Sequence, residues 1–223
     1  MKFDLHVHSI YSLYDAFSTP EDIVKIAVKR GLDGVAITDH NTVKGGLKAM
    51  KFAREKYPNF KVIPGCEIKS EGLHILALGI SSWKNVKNLS RIETVEKIDE
   101  FGGVSVIAHP FRKFRKFWRE GFNEPIRFNA IETLNGGDSR VSNLKAWMFA
   151  KRMKLPGIAG SDAHLREYVG CVYTICNGEV LEDIRKGRVD VGGNILSLSS
   201  LTLEKIKRFG ICLLSAHKIM IPK

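Results

Sequence analysis

Six of the seven histidines of this chain, His6, His8, His40, His74, His109 and His164, follow a pattern that points to metal chemistry. Five sit at or just past the C-terminal end of a predicted strand, and His74 sits near the start of one. His6 and His8 are two residues apart, and a strand repeats every two, so both rings leave the same face and offer a two-ligand site. Asp162 and His164 repeat that spacing late in the chain. His40 directly follows Thr38-Asp39 at a strand end. Glu67 follows the largely apolar run Val62-Ile63-Pro64-Gly65-Cys66, where a buried carboxylate needs a cation. Asp15 lies in the first strand-to-helix loop, able to reach over the same place; helix capping or a plain loop position is the rival reading. A single histidine is more often structural or exposed than a ligand, but six at corresponding positions are hard to explain that way. His217, in the last predicted helix, is read as a surface residue.

Imidazole with carboxylate is the donor set of zinc, manganese or iron(II), with magnesium a further candidate. Nine ligands exceed the shell of one ion and suit two or three, with Glu67 bridging. Closely spaced ions activate water and clamp the oxygens of an in-line displacement at phosphorus. The expected reaction is therefore hydrolysis of a phosphate ester. The sequence has no nucleophile elbow and no Cys–His signature that would supply a side-chain nucleophile. Asp39, beside His40, is placed to orient a ligand without touching an ion, or to make a structural hydrogen bond at the strand end.

These residues need a scaffold that gathers strand ends. Short apolar runs alternate with helix-like stretches, the signature of repeated β/α units. Strands are predicted from Phe3 to His8, Gly34 to Thr38, Lys61 to Ile68, Leu73 to Gly79, Val104 to Ala108, Ala130 to Leu134 and Gly157 to Gly160. Helices are predicted from Ser18-Thr19-Pro20-Glu21 to about Arg30, stopping at Gly31, then at about 43–56, 85–101, 142–153 and 181–186. A closing helix is predicted from Thr202 to about Ile219, broken near Gly210. The expected fold is a single-domain α/β barrel of TIM type spanning residues 1–223, with the strand C-terminal ends forming its chemical face. Residues 180–223 carry no motif and are expected to complete and cover the barrel.

The chain has 223 residues, 35 Lys and Arg against 24 Asp and Glu, and a formal net charge of +11. That excess concentrates anions such as phosphorylated metabolites or nucleic acid. Phe111 to Arg119 is basic and aromatic and directly follows His109-Pro110. Arg112 or Arg115 there can fork onto a phosphate, and Phe114, Phe117 or Trp118 can stack on a base. An amphipathic surface segment with inward aromatics is the alternative. Arg166, just after His164, is a further anion-binding candidate. The four cysteines form no CxxC pair and read as reduced thiols. No apolar run reaches the length of a membrane span, and Met1 to His8 has no secretory hydrophobic region. The expectation is a cytoplasmic protein with no membrane association and no evident obligate protein partner.

Asp4-Leu-His-Val-His8-Ser, Thr38-Asp-His40, Gly65-Cys-Glu67, Leu73-His74, Ala108-His109-Pro110 and Gly160-Ser-Asp-Ala-His164 resemble, in order, the motifs of the polymerase and histidinol phosphatase (PHP) superfamily. The resemblance spans residues 4–164. It implies a distorted barrel of seven strands with a two- or three-metal centre at its mouth. It also implies a division of ligands: His6, His8, Glu67 and Asp162 for one ion, Glu67, His74 and His109 for a second, and Asp15, His40 and His164 for a third. Many relatives carry histidine where this chain has Asp15. The Asp form resembles the branch of nucleoside bisphosphate phosphatases and small exonucleases. Those relatives are generally longer, whereas the stretch between His109 and Asp162 is short here. The implied substrate is a phosphomonoester such as a nucleotide or nucleoside bisphosphate, with a short oligonucleotide or histidinol phosphate as alternatives. A metal-stabilised module that docks RNA or protein without turnover is the reading from a different class.

Overall fold

The computed structural model describes residues 1–13, 15–83, 88–112, 126–197, 199–203 and 206–207. In chain order its elements are β1 (Lys2–Val7), α1 (Pro20–Lys29), β2 (Gly34–Ile37), α2 (Lys44–Lys56), β3 (Lys61–Ser70), β4 (Leu73–Leu78), α3 (Arg91–Glu100), β5 (Val104–Ala108), β6 (Ala130–Asn135), α4 (Arg140–Met153), β7 (Gly157–Gly160), β8 (Val172–Cys176), α5 (Val180–Arg185) and β9 (Val189–Gly193). Residues 199–203 are also helical. Local signals set the helix starts. The Thr19 hydroxyl accepts from the Asp22 amide ahead of Pro20 in α1. Ser90 and Glu93 form a reciprocal capping box at α3. That box starts the helix at Arg91, later than the 85 expected from the sequence.

The strands form one sheet in the order β7-β6-β5-β4-β3-β2-β1-β8-β9. β1, β2 and β3 are parallel to one another, as are β5, β6 and β7, while β4 runs antiparallel to both its neighbours. The ends of the β1 to β7 run meet at the mouth. There the Asp162 amide donates to the His6 carbonyl at 2.7 Å and the His8 amide to the Ala163 carbonyl at 3.0 Å. Towards the other end the gap is filled by β8, which pairs antiparallel with β1. Thr174 of β8 makes the link to β7 through its side chain: Oγ1 accepts from the Ala159 amide at 2.8 Å and donates to the Ala159 carbonyl at 3.0 Å. The result is a nearly closed barrel with nine strands among the described residues rather than the seven expected. The β8–β9 hairpin is the addition. Its second strand gives a weak signal, because no residue of β9 is fully buried.

The interior is apolar at one end and polar at the other, and strand periodicity explains the switch. Ile63 and Glu67 share a face of β3, Leu76 and His74 a face of β4, Ala130 and Glu132 a face of β6, and Ile158 lies in line with Asp162 beyond β7. The apolar members belong to one buried cluster with Phe3, Leu5, Ala36 and Val106. Two irregularities re-aim side chains near the mouth. β1 has one extra residue between Asp4 and Val7 relative to β2, and β6 has one between Glu132 and Leu134 relative to β7. Such bulges change which face the following side chains occupy.

Thr174→Val keeps the shape of the side chain but leaves the amide and carbonyl of Ala159 unpaired in a buried seam. We expect it to cost about 1–3 kcal/mol of unfolding free energy, read from denaturant melts of metal-free protein. A change within error would mean that the seam does not depend on this side chain.

Candidate metal centre

All nine predicted ligands lie at the mouth, and β4 shows why His74 belongs there although it starts its strand. β4 is antiparallel, so its N-terminal end lies beside the C-terminal end of β5, with His74 opposite Ala108. Glu67 is not at a strand end, as the sequence suggested: β3 continues to Ser70, with His74 opposite Lys69. Asp162 and His109 follow their strands in left-handed backbone conformation, with φ of 54° and 27°. Each such residue costs on the order of 1 kcal/mol or more.

Four donor atoms surround one point. His6 Nε2 lies 3.1 Å from His8 Nε2, 3.5 Å from Glu67 Oε2 and 3.4 Å from Asp162 Oδ1. His8 Nε2 lies 3.3 Å from Glu67 Oε2 and 3.2 Å from Asp162 Oδ1. A tetrahedron with ligands 2.0–2.1 Å from its centre has edges of about 3.3–3.4 Å, so these spacings suit a divalent ion. Hydrogen-bond accounting leads to the same place. Ser12 Oγ donates to Asp39 Oδ1 at 2.9 Å and accepts the His40 amide at 3.2 Å. Its remaining capacity is as an acceptor, so His8 Nδ1, 2.9 Å away, carries the proton. His8 Nε2 then presents a bare lone pair to the two carboxylate oxygens. His164 behaves likewise: Nδ1 donates to the Asp162 carbonyl at 2.8 Å, leaving Nε2 to face Asp15 Oδ2 at 3.0 Å. At the fully buried His8, acceptors facing acceptors need a cation between them.

The other two groups also assemble. Glu67 Oε1 faces His109 Nε2 at 2.9 Å and is in contact with His74 Nδ1. Asp15 Oδ2 lies 3.1 Å from His40 Nε2. His40 Nδ1 is 3.2 Å from Glu67 Oε2, so Glu67 reaches all three groups. Burial grades across them. His6 and His8 are fully buried, whereas the side chains of Asp15 and His40 are each 32% exposed. His109 Nδ1 is buried without a hydrogen-bond partner among the described residues, while its Nε2 faces Glu67.

Burial by itself would push the Glu67 carboxyl up, but hydrogen bonds led by those from His109 and His6 hold it well below the usual range. Burial acts the same way on Asp162, and the charges of Arg112 and His6 outweigh it. Burial lowers His8, helped by the neighbouring His164. Burial would also lower His6, but Asp162 and Glu132 outweigh it and hold His6 well above the ordinary value.

Asp39 does not touch a ligand ring. It accepts from the Ser9 amide and hydroxyl at 2.6 and 2.7 Å and from Ser12, and so acts on His8 through one serine. Gly45 leaves it room, because a Cβ there would stand 2.0 Å from Asp39 Oδ2. Arg112 is tied to carboxylates: Nε donates to Asp138 at 2.6 Å, and Nη2 donates to Asp162 at 2.5 Å and Asn135 at 3.0 Å. Arg166 is exposed in the short 3-10 turn Arg166–Tyr168. Arg115, Phe114, Phe117, Trp118 and His217 lie outside the described residues. Sequence reading missed Ser12, Glu132, Asn135 and Asp138. Glu132 carried a usable signal, being an acid inside the apolar strand Ala130–Asn135, the same reasoning that found Glu67. A cavity of about 650 Å³ lies at the other end of the strands, lined by Trp147, Lys151, Lys154 and Arg185 and by none of the metal-donor residues.

Residues 4–124 match the family model of the PHP domain, and residues 140–189 match that of the PHP-associated segment. An uncharacterized protein of Methanocaldococcus jannaschii is 39% identical over 120 residues, 50% of this chain and 68% of that protein. A second from the same organism is 30% identical over 181 residues, 78% of this chain and 69% of that protein. An error-prone DNA polymerase of Symbiobacterium thermophilum is 33% identical over 96 residues, 43% of this chain but only 9% of the polymerase. Among solved structures, a two-domain Bacteroides vulgatus protein containing a predicted PHP-like metal-dependent phosphoesterase superposes with a TM-score of 0.66 at 17% identity, covering 93% of this chain and 69% of that one. A Chromobacterium violaceum amidohydrolase gives a TM-score of 0.61 at 18% identity, covering 85% of this chain and 98% of that one. Fold and motif order define a PHP-type barrel, and this chain belongs to the PHP domain family. No helix among the described residues is long and apolar enough to cross a membrane.

The carboxylates of Asp162 and Glu132 favour a second proton on His6 in metal-free protein, and an ion bound there would displace it. We expect about one proton or more released per chain on zinc or manganese binding at pH 7, seen as a dependence of calorimetric heat on buffer ionisation enthalpy. Buffer-independent heats would show that His6 carries no second proton before the ion binds.

Proposed function

We propose that this chain is a metal-dependent phosphoesterase acting on a phosphomonoester of the nucleotide or nucleoside bisphosphate type. The observation that carries the proposal is the convergence of acceptor atoms at the mouth, with the protons of His8 and His164 committed elsewhere. His6, His8, Glu67 and Asp162 would hold one divalent ion, Glu67, His74 and His109 a second, and Asp15, His40 and His164 a third. When bound, such ions lower the pKa of water and offset the charge of phosphoryl oxygens. Zinc, manganese and iron(II) suit the donors best.

The chain's own groups complete the site. The exposed side of Asp15 and His40 is the side from which a substrate reaches the centre. Arg112 is oriented by Asp138 through Nε, and its Nη1 has no partner among the described residues. That edge is suited to a substrate phosphate. Nη2 also holds Asp162, so Arg112 links the phosphate position to the metal position. Arg166 offers a second cation at the rim.

The test is turnover by protein stripped of metal and reloaded with manganese or zinc, on a panel of nucleotides, nucleoside bisphosphates, histidinol phosphate and short RNA. We expect metal-dependent phosphate release, best on a nucleotide-type monoester. Glu67→Gln is expected to lose metal and turnover together, with at least about 100-fold less activity, since it touches all three groups. No turnover on any substrate by fully loaded protein, or full activity in Glu67→Gln, would defeat the reading. Release of nucleotides from RNA alone would replace the phosphatase with an exonuclease.

A further inference from the structure

We propose that Glu132 is a positioning residue that fixes the proton of His6 on Nδ1 and thereby sets the metal affinity of the group His6, His8, Glu67 and Asp162. The proposal rests on the metal reading of the centre and not on the phosphoester reading, so a failed substrate panel leaves it standing.

Glu132 is fully buried in β6. Its Oε1 lies 3.0 Å from His6 Nδ1. Its Oε2 accepts from the His109 amide at 2.7 Å and from Asn135 Nδ2 at 2.9 Å. The orientation of the Asn135 amide is set independently, because its Oδ1 accepts from the Gly137 amide at 2.9 Å and from Arg112 Nη2. Both partners of Oε2 are therefore donors with no freedom to become acceptors. The carboxylate can only accept, so His6 Nδ1 keeps its proton and Nε2 turns a lone pair to the metal position. The space is shaped for this pair: a Cβ on Gly160 would stand 2.3 Å from His6 Cβ and 2.9 Å from Glu132 Oε1. The bulge in β6 brings Glu132 and Asn135, three residues apart, to the same place.

Glu132→Gln separates positioning from simple packing. The amide oxygen must face the His109 amide and Asn135, because both donate. The new NH2 then faces His6 Nδ1, which must become an acceptor, and the ring proton moves to Nε2, into the metal position. Every hydrogen bond is kept and the tautomer inverts. We expect the metal-free variant to melt within a few degrees of the parent. Affinity for the tightest ion, measured by competition with a chromophoric chelator, should fall roughly 10–100-fold. In a His6→Ala background the same substitution should cost nothing further. In zinc-loaded parent protein, long-range 1H–15N imidazole correlations should show His6 protonated on Nδ1. Parental affinity in Glu132→Gln, or an undiminished loss in the His6→Ala background, would overturn the proposal. Should the variant fail to fold, the parent spectrum decides alone: a His6 without its proton on Nδ1 overturns it.

Discussion

Acceptor atoms crowded into a small buried volume are the physical constraint around which this molecule is organised. Two carboxylates and several imidazole lone pairs converge at the barrel mouth with spacings near 3.1–3.5 Å. Left alone, such a cluster repels itself, and removing its charges from water costs several kcal/mol per ion. A flexible loop would splay the groups apart. Here strands, bulges and buried hydrogen bonds hold them. Ser12 and the Asp162 carbonyl each take one imidazole proton, so the remaining lone pairs are aimed inward. A bound metal ion would resolve the repulsion and so would belong to the fold's electrostatics as well as to its chemistry.

Closing the barrel is the other half of the same constraint. His6 and His8 come from β1 and Asp162 and His164 from beyond β7, strands at opposite ends of the β1 to β7 run. They form one group only because the seam closes. Backbone bonds close it at the mouth, and Thr174 closes it lower down. Asp4 contributes between them, accepting from the amides of Ser161 and Gly170. Burial pushes its carboxyl up to about 6 despite those hydrogen bonds. Polar groups spent on closure explain why the Asp4 and Gly160 ends of the two motifs carry residues that bind no ion. Glycine at 160 leaves room for His6 to turn inward.

Much of this was legible in one dimension, for identifiable reasons. Ligands at strand ends inherit a simple periodicity, and an acid such as Glu67 amid apolar neighbours announces its need for a cation. The six parallel strands of the ring and the five named helices among the described residues lie near the places expected from the sequence. Three features were not found. The β8–β9 hairpin has weak burial. α3 begins at a capping box that the helical pattern overran. The pairing of Arg112 with Asp138 and Asp162 across the mouth leaves no local mark in the sequence.

The sequence by itself determined the donor types, their order along the chain and the parallel strands that carry them, because these depend on local spacing and on burial patterns that repeat every two residues. Only the tertiary structure decided which donor atoms lie together, which ring nitrogen faces a hydrogen-bond acceptor, and which charges are already paired. Those outcomes depend on contacts such as Glu132 with His6 and Thr174 with Ala159. They join residues far apart in the chain, and single-residue bulges that leave no mark on local hydrophobicity can re-aim the side chains that make them.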